Sequence, residues 1–388
     1  MALCFDPARI AARTGARTAA RVLLGGLGVL FALSGCAHTL PDCEKAPPFS
    51  VSPVAAADFT GISPLGNLNP PSHTFPTDHV YFEIRRGGDA TASVPVVSPG
   101  HVWITRISRT EYTNVPDHLN DYKIYFQPCK SVRGYFDHVR TLSPRVLSSL
   151  GSISKNACED YPVGTGRAKQ CSKKVWIEVE AGEAIGTAGD GLRSLDVGIQ
   201  DARVAPIAWA NPAHHRQSAD GFDDLHVACP LDYFVPATRA ALDAKIEHDG
   251  DGPRCGTVAQ DVPGTAAGDW FLDGAKPFPE DQHLALVHEN IESDTAVISL
   301  GTGLHTGAAL LPFESVSSGP INREFNEVTV DGFVYCYESE RKAVGDRRPV
   351  LIFIQLVTKD RLRVEERTGD QCGPGPYEFK GVTFDFVR

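Results

Sequence analysis

The chain has 388 residues, 42% of them hydrophobic, which is enough to bury a substantial core and favours two domains over one. Its 36 glycines and 28 prolines, together with 22% charged residues, are typical of a turn-rich β protein and not of a helical one. The formal net charge of −11 argues against nucleic acid as a partner, because a polyanion selects basic surfaces. The composition therefore predicts a mainly β protein that does not bind nucleic acid.

Residues 1–35 have the pattern of an export signal. An apolar stretch at residues 22–33 follows four arginines and ends in the tetrapeptide LSGC, whose last residue is Cys36. This ending resembles the bacterial lipobox, which implies that Cys36 becomes the mature N-terminus and carries a lipid. The stretch is too short to cross the roughly 30 Å of hydrocarbon that a membrane helix spans. We therefore expect a signal peptide and a lipoprotein held on a membrane through Cys36.

The residues that follow Cys36 predict where the anchored protein lies. Ala37, and not Asp, comes next, which favours the outer membrane by the enterobacterial sorting pattern. Residues 36–70 are rich in Pro, Ala and Ser and show no sustained period, which is typical of a tether. We expect a lipid-anchored linker there and a cell-envelope location on the periplasmic face of the outer membrane.

Eight cysteines are left once Cys4 is removed with the signal and Cys36 is lipidated. An even number in an exported chain predicts disulfide bonds, because the space beyond the inner membrane is oxidising. A metal–thiolate site is less well supported, since no two cysteines have Cys-x-x-Cys spacing. Short loops and C-terminal position favour three pairs: Cys158–Cys171, Cys229–Cys255 and Cys336–Cys372.

Short alternating or apolar segments separated by turns predict strands throughout the chain after residue 70. In the first half the predicted strands are 79–85, 94–97, 101–107, 122–127, 132–139, 175–179, 184–188 and 194–200, with a helical turn at 143–150. Good helix formers at 237–248, stopped by Asp249-Gly250, predict a helix between two domains. The predicted organisation is a β domain at 71–235, a helical connection at 236–255 and a second β domain at 256–388.

The second β domain is expected to be a small barrel or sandwich, because short strands follow one another with turns between them. Asp331-Gly332 is the strongest hairpin signal in the chain. Residues 350–357 are apolar on both faces, which predicts a central strand. The predicted strands are 284–289, 295–300, 327–330, 333–338, 350–358, 361–366 and 382–387.

Three motifs follow one another between residues 71 and 203. His73 and Asp78 stand just ahead of a predicted strand, FDHV follows at 136–139, and VEAGEAIG follows at 179–186. In this order they resemble the lysostaphin and LytM-like family of zinc endopeptidases, which cleave peptide crosslinks in bacterial cell walls. The resemblance implies a small antiparallel β scaffold of the LytM-like kind for this part of the chain.

The resemblance also implies roles for particular residues. His73 and Asp78 correspond to the first two zinc ligands, and His138 corresponds to a catalytic histidine. The family's closing His-x-His falls on Ser-Leu-Asp, so Asp196 stands where the third zinc ligand is expected. His79 or His138 would then supply the missing catalytic imidazole. The spacing from His73 to Asp78 is one residue longer than the family motif, and such a slip on a strand reverses the face of a side chain.

Each of these residues also has an ordinary structural explanation. His73 lies in a proline-rich turn, where a hydrogen-bonded loop histidine is as good an interpretation as a ligand. Asp78 could cap the turn before the strand. His138, between two charged residues, could be a surface cross-strand residue, and Asp196 could hold backbone at the start of a strand.

The chemistry of the substituted site leaves three hypotheses open. A catalytic zinc needs three protein ligands and an open position for water. Two carboxylates in a set of His73, Asp78 and Asp196 would make the ion a poorer Lewis acid, and serine cannot replace the missing base. The chain is thus an atypical zinc endopeptidase acting on peptidoglycan crosslinks or other peptides, a protein with a non-catalytic metal, or a metal-free binding protein. We favour the last, a non-catalytic envelope lipoprotein that binds cell-wall peptide, another protein or a small ligand.

Overall fold

The computed structural model describes residues 39–84, 93–112, 120–163, 166–189, 191–218, 220–339 and 349–388. The predicted signal peptide and the lipidation residue Cys36 lie outside these ranges. From Leu40 to Arg388 the chain forms one compact unit. Antiparallel sheets dominate it, and the α-helices in the described ranges are short, so the fold is mainly β as the sequence predicts. None of the helices described is long and apolar enough to span a membrane.

The first half of the described chain builds a large sheet and a small one. Its strands are β1 (Phe59–Ser63), β2 (His79–Ile84), β3 (Ser93–Val97), β4 (Val102–Tyr112), β5 (Asn120–Cys129), β6 (Val132–Val139), β7 (Thr141–Leu142), β8 (Cys158–Val163), β9 (Gly166–Val179), β10 (Ala184–Gly189), β11 (Ser194–Asp201) and β12 (Val227–Ala228). The large sheet has the order β1-β2-β11-β6-β5-β4-β9-β8, with β12 paired to β11. The small sheet has the order β3-β10-β7. Strand β11 therefore lies between β2 and β6, although it follows both by many residues in the chain.

The large sheet has an apolar face and a polar face. Leu195, Val197 and Ile199 of β11 point into the first hydrophobic core, which also takes in side chains from the neighbouring strands. Asp196 and Gly198 alternate with them and so belong to the opposite face. All residues of β11 are buried, so this strand is covered on its polar side as well.

Two short α-helices lie between strands, the first between β7 and β8 and the second after β12. Helix α1 (Pro144–Leu150) begins after Ser143, whose hydroxyl accepts a hydrogen bond from the backbone N–H of Val146. Helix α2 (Pro236–Asp243) ends five residues before the end predicted from helix propensity. The chain that follows hydrogen bonds with Ile62 of β1 instead, since Ile62 N–H donates to Lys245 O at 2.8 Å. A tertiary partner for the backbone has overridden local propensity there.

The second half forms one antiparallel sheet that curls into a nearly closed barrel. Its strands are β13 (Gly268–Leu272), β14 (Leu284–His288), β15 (Ala296–Leu300), β16 (Ala309–Phe313), β17 (Tyr335–Glu338), β18 (Val350–Thr358), β19 (Arg361–Thr368) and β20 (Thr383–Val387). They follow the order β16-β15-β14-β13-β20-β19-β18-β17 around a second hydrophobic core. The predicted central strand is confirmed, because β18 lies between β19 and β17.

The strand predicted at 327–330 is wrong, and so is the hairpin predicted at Asp331-Gly332. Phe325–Glu327 forms a 3-10 turn, and the described chain has no strand between β16 and the turn at Gly332. The Asp331 carboxylate accepts hydrogen bonds from Phe333 N–H at 2.9 Å and from the Tyr335 hydroxyl at 2.7 Å. The hydrogen bonds of a turn are therefore present. The segment before the turn pairs with no strand in the described ranges, and its Val330 is exposed.

Four disulfide bonds lie within the described ranges. The three predicted pairs are confirmed, and the fourth joins Cys43 to Cys129. This bond ties the start of the described chain to the end of β5. Phe49 and Phe59 are buried in the first core, so much of the stretch expected to be a tether packs against the fold.

A third apolar cluster contains side chains from both halves of the chain. Phe75, just before β2, packs against Phe271 of β13 with ring centroids 4.9 Å apart. The backbone N–H of Phe75 also donates to Glu280 Oε2 at 3.0 Å. Phe75 and Phe271, which lie on either side of the predicted helical connection, thus pack in one cluster.

Candidate functional site

Register places two of the predicted site residues, His79 and Asp196, on one face of the large sheet. In β11, Asp196 lies opposite Tyr81 of β2 and opposite Asp137 of β6. Two residues on, Gly198 lies opposite His79 of β2 and opposite Tyr135 of β6. A Cβ at residue 198 would come within 2.2 Å of the Tyr135 ring, so only glycine lets that ring cross β11 towards β2.

His79 lies between two carboxylates. Its Nδ1 is 2.9 Å from Asp78 Oδ1 and its Nε2 is 3.3 Å from Asp196 Oδ2. The Tyr135 hydroxyl donates to the same Asp78 oxygen at 2.7 Å. The His79 side chain is only 8% exposed, so the imidazole interacts with these groups and hardly with solvent.

His138 lies between carboxylates in the same way. Its Nδ1 is 3.0 Å from Asp121 Oδ2, and its Nε2 is 3.4 Å from Asp196 Oδ2. Its backbone has φ of 64°, the left-handed region that a residue with a Cβ rarely adopts, and its N–H donates to Asp137 Oδ1 at 3.0 Å. The Tyr112 hydroxyl donates to Asp121 Oδ2 at 2.9 Å and so fixes the carboxylate that faces His138.

Asp196 is the residue that both histidines share. Its Oδ2 faces the two imidazoles, and its Oδ1 accepts a hydrogen bond from the Ser194 hydroxyl at 2.8 Å. Ser194 and Asp196 are the two residues that stand where the resemblance expects His-x-His. We call Asp78, His79, Asp121, His138 and Asp196 the Asp196 network.

The network holds its groups in their charged forms. Burial disfavours charge on His79, but Asp196 and Asp78 outweigh burial and raise the His79 pKa to about 9. The same balance, with Asp196 and Asp121 as partners, raises the His138 pKa to about 10. Burial alone would raise the pKa of Asp196, yet His138 and His79 lower it to about 2. At neutral pH both histidines are therefore cations and Asp196 is an anion.

His73 does not join the network. Its Nδ1 faces Glu280 Oε1 at 3.4 Å, and its ring centroid lies 5.5 Å from that of His79. The structure brings together Asp78, His79, His138 and Asp196, and pairs His73 with a residue of the second half.

A metal site can be tested from the ligand atoms. Within the described residues, Asp121, Asp137 and His138 form the group whose ligand atoms all lie within 4.8 Å of one another. The expected set of His73, Asp78 and Asp196 does not converge in this way, so these residues do not fit one zinc ion as they stand. In the group that does converge, Lys123 Nζ lies 3.0 Å from Asp137 Oδ2 and already supplies a positive charge.

Several residues of the site were not predicted as members. Asp121 and Tyr135 hold the two histidines, and Glu280 pairs with His73. Alternation along β5 puts Asp121 and Lys123 on one face, which is a signal that the sequence does contain. Their partners depend on which strands are neighbours, and Glu280 comes from another part of the fold.

The chain matches no protein-family model, no curated protein and no solved structure. What can be said of its function therefore comes from its own residues and their geometry.

Proposed function

We propose that this protein is a lipid-anchored cell-envelope protein whose first half keeps a degenerate peptidase-like site and acts in binding, not in catalysis. The observation that supports this is the position of Asp196, whose Oδ2 lies 3.3 Å from His79 Nε2 and 3.4 Å from His138 Nε2. Two imidazolium groups there supply the positive charge that a divalent ion would supply in an active peptidase.

The charge state of the histidines also favours a binding role. A zinc-ligating or basic imidazole must be neutral, because only a nitrogen without a proton offers a lone pair. Both ring nitrogens of His79 and of His138 face carboxylates, which favours the doubly protonated form. While both ring nitrogens carry protons, neither histidine offers a lone pair, so a metal ion would have to displace these protons in order to bind. The site is therefore better suited to a fixed, charged scaffold than to hydrolysis.

The lipid on Cys36 would place this scaffold at the outer membrane, facing the periplasm. A binding role there fits cell-wall peptide, another envelope protein or a small ligand. The alternative is an atypical zinc endopeptidase acting on peptidoglycan crosslinks or other peptides. It is favoured by one observation, which is that Asp78, His138 and Asp196, three residues given roles by the resemblance, do meet in one network.

Metal content and hydrolysis together test the proposal. The protein, with Cys36→Ser to remove the lipid, is incubated with zinc, passed through a desalting column and analysed for bound metal. Cleavage of crosslinked cell-wall peptides is followed on the same sample. We expect well under one zinc per chain and no cleavage above background, because the imidazoles are already paired.

Two variants make the result decisive. His138→Ala removes a network histidine, whereas His101→Ala removes one that is 46% exposed and pairs with Glu178 outside the network. One zinc per chain with peptide cleavage, both lost in His138→Ala and kept in His101→Ala, would overturn the proposal in favour of the endopeptidase.

A further inference from the structure

We infer that the polar face of the large sheet binds a short acidic segment of a partner protein at a cluster of cations beside the Asp196 network. This rests on the proposed function, since it names the ligand class of the proposed binding face. We call the cluster the cationic face and define it by residues of four adjacent strands: Arg106 of β4, Lys123 and Tyr125 of β5, Arg133 of β6 and Lys174 of β9.

Three cations surround one aromatic ring on this face. The guanidinium carbons of Arg106 and Arg133 lie 5.5 Å and 5.6 Å from the centroid of the Tyr125 ring. Lys123 Nζ lies 5.8 Å from the same centroid and 3.9 Å from that of Tyr135. Cation–π contacts hold the long side chains over the sheet, so their charges are concentrated in one place.

Most of this positive charge has no acidic partner close by. Arg106 and Lys174 are exposed, lie directly opposite each other on β4 and β9, and have no carboxylate oxygen within 4.0 Å among the described residues. Arg133 donates to neutral acceptors, the Gln200 side-chain oxygen and the Phe222 carbonyl oxygen, each at 2.7 Å. Like charges facing each other across strands are destabilising. A bound anion would relieve that repulsion.

The surrounding charge indicates which kind of anion fits. The chain as a whole carries −11, so a local excess of cations stands out and would attract an anion selectively. Guanidinium groups pair with carboxylates in a bidentate manner, and Tyr125 offers a flat apolar surface between them. Asp137 and Asp220 flank the cationic face, because Asp137 pairs with Lys123 and Asp220 acts electrostatically on Arg133. These acids would repel an extended polyanion, so a short peptide with a few carboxylates fits better than nucleic acid or an anionic membrane.

Calorimetric titration with matched peptides tests this inference on the Cys36→Ser chain. The probes are an acetylated heptapeptide of alternating Ala and Glu and the same peptide with Gln for Glu. We expect the Glu peptide to bind at least tenfold more tightly at low salt, and added salt to weaken it. The variant Arg106→Gln/Arg133→Gln should lose at least tenfold in affinity for the Glu peptide.

A charge-matched control separates the cationic face from net charge. Lys359→Gln/Arg254→Gln removes two positive charges from other parts of the surface and should leave the affinity unchanged. Circular dichroism and thermal unfolding verify that each variant is folded. Equal affinity for the two peptides, equal losses in both double variants, or arginine-dependent binding to anionic phospholipid vesicles without peptide binding would overturn the inference.

Failure here is distinguishable from failure of the proposed function. Zinc binding with cleavage of wall peptides would refute the non-catalytic role, whatever the effect of the arginines on the Glu peptide. If the Glu peptide binds equally well to Arg106→Gln/Arg133→Gln, the cationic face is refuted as the binding site, while a binding role for the protein remains.

Discussion

Two aspartates, one in each half of the molecule, are each shared by two cations, but their surroundings differ. Asp196 lies between His79 and His138, and its side chain is only 3% exposed. Asp385 of β20 accepts hydrogen bonds from Arg361 and Arg363 at 2.9 Å each, and its side chain is 26% exposed. The arrangement of charge is the same, whereas the solvent around it is not.

The difference shows what burial does to a shared carboxylate. Near water, an ion pair adds little to stability because solvent screens it and can replace either partner. In the interior, removing one partner leaves an uncompensated charge that water cannot reach. The cations differ as well, since an arginine stays charged throughout the accessible pH range and a histidine does not. The buried network is therefore the one that pH and mutation should disturb.

The largest expected effect is on Asp196. Asp196→Asn leaves the buried His79 imidazolium and the half-buried His138 imidazolium without their shared anion. It should lower the free energy of unfolding by about 3–5 kcal/mol. Urea unfolding at neutral pH with the disulfides intact measures this. The matched change Asp385→Asn should leave the midpoint close to that of the wild type. Equal losses for the two variants would show that burial does not separate them.

The pH dependence of stability should come next in size. Because the pKa values of His79 and His138 are raised to about 9 and 10, their contribution is complete below about pH 6.5 and is lost as the pH rises through 9 to 10. Because the Asp196 pKa is lowered to about 2, its contribution is complete above about pH 4 and is lost as the pH falls through 2.

Thermal unfolding across this range checks that prediction. The wild type should keep the network's contribution between about pH 4 and 6.5 and lose it progressively above. In Asp196→Asn the basic decline should be smaller, because the histidines have lost the partner that raises their pKa. A variant that follows the wild-type curve in parallel would place the pH response elsewhere in the molecule.

The smallest effect should come from the hydroxyl that supports Asp196. Ser194→Ala removes the 2.8 Å hydrogen bond to Asp196 Oδ1 inside the fold and should reduce stability by about 1 kcal/mol. Ser218 donates to Asp220 in the same local pattern at the surface. Ser218→Ala should have no measurable effect, because water replaces the lost bond. A stability loss in Ser218→Ala as large as in Ser194→Ala would show that burial does not decide the effect of losing this hydrogen bond.

Local patterns predicted much of the fold. The strands at Val132–Val139 and Val350–Thr358 have the predicted bounds, because alternation and apolar runs are properties of the segment itself. The segment at 327–330 has a similar composition but found no neighbouring strand. Conversely, β1 and β13 were not predicted, since their pairing depends on β2, β14 and β20. Strand propensity becomes a strand only where a partner is present.

The residues of the candidate site were likewise predicted only in part. The motifs named His79, His138 and Asp196, and the structure places all three in one network. His73 was named as well, but its Nδ1 faces Glu280 and not the network. A motif records order along the chain, whereas a ligand set depends on which side chains face one point.

The sequence by itself determined the mainly β class, the disulfide pairs that close short loops, and the residue types from which the site is made. Only the tertiary structure decided that β11 lies between β2 and β6, and hence that Asp196 is shared by His79 and His138. The physical reason is the distance along the chain over which each effect acts. Periodicity and loop closure act over a few residues, whereas the neighbours of a strand are set by the burial of whole faces.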